Sequence, residues 1–391
     1  MLNTPFSPWP SFTQEEADAV SRVVLSNKVN YWTGQECREF EKEFAAWCEV
    51  PHAVALSNGT LALDLALKVL GIGAGDEVIV TPRTFLASVS AIVTAGATPV
   101  FADVCRDSQN ITPATVAKVI TPRTKAIIAV HLAGWPCDMD GLNALAVKHN
   151  LVVIEDCAQA HGAKWCGKPV GSLGAAAAWS FCQDKIMTTG GEGGMLTTNS
   201  KDVWSAAWSY KDHGKSYEAV YHREHAPGFR WLHERFGTNW RMLEVQGVLG
   251  RIQLTRMNDW HKARTANANA IMAACAESPA LRVPVVPAEA EHAWYRAYVF
   301  VRPEALAEGW NRDRIMNEIV ARGVPCYSGS CSEVYLEKAF DGTPWRPTER
   351  MPIAKELGET SLMFLTHPTL TQAEIDKTCA VIGEVIGLAA R

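Results

Sequence analysis

Three features of this sequence combine residue types and spacings that could do chemistry: a lysine, an aspartate and a hydroxyl-bearing turn. Lys185 follows an apolar run at residues 175–181 and precedes Thr188-Thr189-Gly190-Gly191-Glu192-Gly193-Gly194. At the end of a buried strand, beside a loop that must bend tightly, a lysine is desolvated and its amine becomes a nucleophile suited to a Schiff base. A lone lysine is ordinarily a solvated surface group, so the residues around it carry the assignment. Asp156 closes the run at 151–154 and falls at the carboxyl end of a central strand, where open α/β sheets bind their ligands. A carboxylate there can hold a protonated ring nitrogen or simply cap the helix that follows. Gln159 stands within reach of the same ring. Ser57-Asn58-Gly59-Thr60 lies between a strand and a helix, where backbone N–H groups and the Thr60 hydroxyl can cradle a phosphate, or where a plain turn needs a cap. Ser180 can add a second hydroxyl, and Phe85 a flat face for an aromatic ligand or an ordinary core side chain.

These residues need a scaffold, and the hydrophobic pattern supplies one. Strands are expected at 53–57, 77–81, 100–102, 126–131, 152–155, 175–181 and 194–198, with helices at 60–70, 85–94 and 139–149 between them. That alternation means a mostly parallel sheet covered on both faces. Thr13-Gln14-Glu15-Glu16 and Thr371-Gln372-Ala373-Glu374 are capping boxes that open a first and a last helix, and Phe40, Phe44 and Trp47 fall at helical spacing. Residues 217–238 are aromatic and basic without a period and read as a long functional loop. A long helix is expected over 243–274 and a half-exposed strand over 294–301. The fold class is therefore α/β, a large three-layer α/β/α domain at 14–258 followed by a smaller α+β domain at 259–391, with residues 1–13 packing nearby.

Composition narrows the function. The chain has 391 residues, 48% hydrophobic and 20% charged, ample for a sizeable core. Lys and Arg total 37 against 42 Asp and Glu, a net charge of −5, which advertises neither a nucleic-acid surface nor a polybasic membrane patch. The uncharged stretch 84–102 is cut by Gly96-Ala97-Thr98-Pro99 and reads as a buried helix and strand, so no membrane span is expected. The 11 cysteines are scattered, and Cys326 and Cys331 lack a second pair, so no metal site is expected. An odd count, with no signal core at the start, points to reduced thiols in the cytoplasm.

Taken in order, Asn58-Gly59-Thr60, Glu155-Asp156-Cys157-Ala158-Gln159-Ala160, Ser180-Phe181 with Lys185, Gly191-Glu192-Gly193-Gly194 and Gly237-Thr238-Asn239-Trp240-Arg241-Met242 resemble the DegT-type nucleotide-sugar aminotransferases, which are fold type I pyridoxal-phosphate enzymes. The resemblance implies that Lys185 links to pyridoxal 5′-phosphate and shuttles protons, that Asp156 pairs with the pyridine nitrogen, and that Gln159 meets the phenolic oxygen. It assigns the phosphate to Gly59, Thr60 and Ser180 together with Asn239 of the partner subunit, and ring stacking to Phe85. It further implies a homodimer with shared sites, L-glutamate as donor and 2-oxoglutarate as its product. The acceptor would be a nucleotide-linked keto-deoxysugar, a 4-keto-6-deoxyhexose first, used for surface polysaccharide. His213, Arg230 and Tyr327 are its candidate contacts. A 3-keto sugar, an aminohydroxybenzoate or cyclitol substrate, and a regulatory protein without turnover are the alternatives. Cys182-Gln183-Asp184 departs from the family, in which many members place a histidine directly after the Ser-Phe pair.

Overall fold

The computed structural model describes residue 2 and residues 4–391. Met1 and Asn3, part of the N-terminal segment 1–13, lie outside the described residues. In chain order the first strands are β1 (His52–Leu56), β2 (Glu77–Val80), β3 (Thr98–Phe101), β4 (Thr124–Val130), β5 (Val152–Asp156), β6 (Lys164–Trp165) and β7 (Lys168–Pro169). They are followed by β8 (Ala176–Ser180), β9 (Gly194–Thr198), β10 (Leu281–Arg282), β11 (Ala290–Glu291), β12 (Arg296–Val301), β13 (Cys326–Tyr327) and β14 (Ser361–Leu365).

The main sheet has seven strands in the order β1-β9-β8-β5-β4-β2-β3. Strands β3, β2, β4, β5 and β8 run parallel, and β9 is antiparallel to both β8 and β1. Its strands are apolar on both faces because helices cover both. One face of the sheet (Val54, Leu56, Val78, Val80, Ile128, Ile154) packs on helices Gly59–Val69 and Ala87–Thr94. On the other face, Ile79, Ile127, Ala129 and Val153 meet helix Met139–His149, while Ala55, Ala177 and Trp179 meet Phe40 and Phe44 of helix Glu36–Trp47. The expected alternation of strand and helix is present from β1 to β5; β5, β8 and β9 follow without a helix between them.

A second, four-stranded sheet follows in the order β10-β12-β14-β13, and β6, β7 and β11 form a small separate ribbon. One expectation is corrected here. Residues 296–301 are not half exposed: from Ala297 to Val301 every residue is buried. Ala297, Val299 and Val301 face helices Gln372–Ala389 and Glu244–Ala276, whereas Tyr298 and Phe300 face Leu357 and Leu132. Helix Glu244–Ala276 runs unbroken through residues 258 and 259, between which the domain division was expected. Leu2, Ser7 and Pro8 lie against the end of the chain, bonded to Lys377, Glu374 and Thr369 respectively. Among the described residues, no helix is long and apolar enough to cross a membrane.

Candidate active site

The carboxyl ends of the parallel strands open into a cleft of about 610 Å³. Asn58, Gly59, Thr60, Phe85, Asp156, Gln159, Ser180 and Lys185 all line it, together with Ser88, Cys182, Asp184 and Glu192. A hollow of about 590 Å³ bordered by Asp64, Lys68, Tyr210 and Trp240 holds none of the expected site residues.

Each side chain is positioned by its element. Asp156 ends β5, the central strand of the seven, and is only 5% exposed. Its Oδ2 accepts from Ser88 Oγ at 2.7 Å and its Oδ1 from the Ala158 N–H at 3.1 Å. Burial pushes its carboxyl above the usual carboxylate range, opposed by those hydrogen bonds and by the positive charge of Lys185. Gln159 Oε1 accepts from the Ala133 N–H at 2.7 Å, which fixes the amide in the cleft.

Asn58 is the N-cap of helix Gly59–Val69, and its Oδ1 accepts from the Leu61 N–H at 3.0 Å. Gly59, Thr60 and Leu61 of the first turn line the cleft, and a helix N-terminus carries backbone N–H groups without intrahelical partners. Only glycine fits at 59, since a Cβ there would stand 2.6 Å from the Ser180 Cβ. Phe85 leaves 72% of its surface uncovered, a flat apolar face turned to the cleft.

Lys185 follows β8 in the loop that leads back to β9. Its carbonyl accepts from Trp9 Nε1 at 2.8 Å, and its ammonium lies 3.6 Å from Asp184 Oδ1. His161, fully buried behind it, is held neutral: burial lowers its pKa to about 3, helped by Lys185 and Arg264.

Asn239, His213, Arg230 and Tyr327 do not line this cleft. All four are exposed, and Asn239 is bridged to Asp212 at the foot of the long loop. Ser88 and Asp184 are cleft residues for which the sequence reading gave no role. Ser88 could have been suspected from its place one helical turn after Thr84, with which it shares a 2.9 Å hydrogen bond. Asp184 pairs with Tyr295, a partner that no local pattern reveals.

Comparison with known proteins decides the family. The model of the DegT/DnrJ/EryC1/StrS aminotransferase family matches residues 10–383. The chain belongs to that family. It is an aminotransferase of fold type I, and its cofactor is pyridoxal 5′-phosphate. The crystal structure of an aminotransferase from Psychrobacter cryohalolentis is similar at 65% identity, with a TM-score of 0.97 over 98% of this chain and 99% of that one. Among curated proteins, the dTDP-3-amino-3,4,6-trideoxy-alpha-D-glucose transaminase of Streptomyces venezuelae is 35% identical over 91% of this chain and 88% of its own. The spore coat polysaccharide biosynthesis protein SpsC of Bacillus subtilis is 40% identical over 96% of each.

The residues of this aminotransferase fit the cofactor. The cleft offers a buried carboxylate for a ring nitrogen, a glycine-floored helix N-terminus for a phosphate and a bare aromatic face for the ring. Lys185, 17% exposed, stands where a carbonyl carbon can be reached.

Proposed function

We propose that this aminotransferase moves an amino group from L-glutamate to a nucleotide-linked keto-deoxysugar, with a 4-keto-6-deoxyhexose as acceptor and surface polysaccharide as the destination. The observation that carries the reading is the convergence of Lys185, Asp156 and the N-terminus of helix Gly59–Val69 on one cleft. The relative named for a dTDP-linked amino sugar supports a nucleotide-linked sugar as acceptor, and the relative named for spore coat polysaccharide supports its use.

In this reading Lys185 holds the cofactor and, once released, carries a proton between the α-carbon of the donor and the cofactor. Pyridoxal phosphate supplies the electron sink when bound. Asp156 keeps the ring nitrogen protonated, and Ser88 keeps Asp156 oriented. Gly59, Thr60 and Ser180 hold the phosphate, with Asn239 of the partner subunit, and Gln159 meets the phenolic oxygen. Phe85 covers the ring and excludes water from one face. His213, Arg230 and Tyr327, outside the cleft of their own chain, serve the acceptor in a homodimer. The division into domains at 14–258 and 259–391, and a reducing, cytoplasmic setting for the 11 free thiols, belong to the same proposal.

The test is a panel of nucleotide-linked 4-keto and 3-keto sugars incubated with L-glutamate, with products identified by mass and NMR. We expect a 4-amino sugar and 2-oxoglutarate. A 3-amino product would favour the second reading, which the Streptomyces relative's name supports, and turnover of carbocyclic ketones alone would remove the sugar. A nucleotide handle supplies remote binding energy, so equal kcat/KM for the nucleotide sugar and its 1-phosphate would remove nucleotide recognition.

A further inference from the structure

Asp184 sits beside the lysine, lines the cleft, and is held from the far side by the second sheet. The Tyr295 hydroxyl donates to its Oδ2, and the Arg296 guanidinium approaches the same oxygen at 3.8 Å. The other oxygen, Oδ1, faces Lys185 Nζ at 3.6 Å. Tyr295 and Arg296 are themselves fixed. The Tyr295 N–H donates to the Ala133 carbonyl at 2.9 Å, Arg296 Nη1 donates to the Tyr295 carbonyl at 2.9 Å, and the guanidinium lies 4.1 Å from the centre of the Tyr295 ring. The lysine ammonium is 5.5 Å from the centre of that ring.

From this arrangement we infer that Asp184 is a positioning residue for Lys185. It is the anion that holds the lysine nitrogen in place, and Tyr295 and Arg296 set how much of its charge the lysine feels. The inference rests on Lys185 being the cofactor lysine, and it adds a role for a residue that the family resemblance leaves unassigned.

The geometry explains why the anion is needed. Lys185 is mostly enclosed, Arg296 shares Asp184 with it, and His161 beside it is neutral; the carboxylates that face it are Asp184 and, deeper in the cleft, Asp156. Cys182 and Glu192 are the other titratable residues of its own loop that line the cleft. An opposite charge within about 4–6 Å favours the protonated form of an amine-derived nitrogen. Arg296 shares the carboxylate and so weakens its hold. Although burial tends to raise the Asp184 carboxyl, Lys185, Tyr295 and Arg296 together hold it below the usual range, and it remains an anion through neutral pH.

The test uses the full-length holoenzyme and the pH midpoint of the cofactor's visible absorption band, a readout that a purely structural role would not move. Asp184→Asn keeps an acceptor for Tyr295 and removes the charge, so its midpoint should fall by about one pH unit. Arg296→Gln releases Asp184 to the lysine and removes a competing cation, so its midpoint should rise. Tyr295→Phe frees the carboxylate from its tether and should lower the midpoint less than Asp184→Asn. If Asp184→Asn does not fold, the opposite shifts of the other two variants carry the test. Borohydride reduction and peptide mapping locate the band. A label on another lysine overturns the cofactor reading and the proposal with it. A label on Lys185, with midpoints that do not move or that move together, overturns the proposal alone.

Discussion

Asp156 gathers the strongest electrostatic constraint in the cleft into one side chain. It is buried, bonded to Ser88 and Ala158, and would face a cationic ring nitrogen. Removing one member of a buried charge pair costs about 3–5 kcal/mol. Asp156→Asn should therefore lower turnover and loosen the cofactor by on the order of 100-fold or more, while leaving the melting temperature close to that of the parent. Dialysis followed by visible absorbance measures the first effect and calorimetry the second. Near-normal turnover in Asp156→Asn would leave the aspartate only its structural role, capping the turn at Ala158; no helix follows it, contrary to the alternative read from sequence. The same carboxyl sets an acid limit. Burial pushes its carboxyl above the usual range, so the charge that faces the ring nitrogen should be lost, and cofactor retention should weaken, at a pH above that of an ordinary carboxylate near pH ~4.

At the level of elements, the first and the last helix are opened by the same device. Thr13 and Glu16 open helix Gln14–Leu25, and Thr371 and Glu374 open helix Gln372–Ala389, each as a reciprocal capping box. Glu16 also reaches across to helix Glu244–Ala276, accepting from Gln253 at 2.8 Å and Arg256 at 3.1 Å. Burial tends to raise its carboxyl, but the hydrogen bonds from Gln253, Thr13 and Arg256 outweigh burial and hold it below the usual range. A depressed folded-state pKa means that this stability is present above the unfolded pKa and is lost as pH falls through the folded one. Glu16→Gln should cost about 1.5–3 kcal/mol at pH 7, and the gap from the parent should close below pH ~4. Urea melts at pH 7 and at low pH check both statements; a constant gap would mean that Glu16 acts through packing alone.

The whole molecule poses the question of partnership. Phe229, Trp231 and Phe236 stand exposed on the long loop, Phe236 completely, a concentration of apolar surface of the kind that interfaces cover. Asn239 follows this loop, is exposed and does not line its own cleft. If each site takes Asn239 from the other chain, a mixed dimer of Lys185→Ala and Asn239→Ala subunits holds one intact site. Each variant alone should be disabled, and verified heterodimers should recover up to about half of the parental activity per dimer, as expected for a site assembled by symmetry-related chains. Heterodimers without recovery would place Asn239 outside the site.

The sequence by itself determined the elements of the large sheet and several residues that meet in its cleft. Strand and helix periods are local, so β1 through β5 and their helices could be read from the pattern, and Gly59, Asp156, Ser180 and Lys185 follow because each sits at the end of a readable strand. The burial of β12 could not be read, since alternation along one strand does not say whether its second face meets solvent or another layer; helix packing on both sides decided it. Nor could the pairing of Tyr295 and Arg296 with Asp184, residues far apart in the chain. These depend on how two sheets are brought together at Ala133, where Tyr295 bonds to the backbone. Local sequence carries propensity and period, but the charge that a buried lysine feels is set by whichever side chains the completed fold brings within a few ångströms of it.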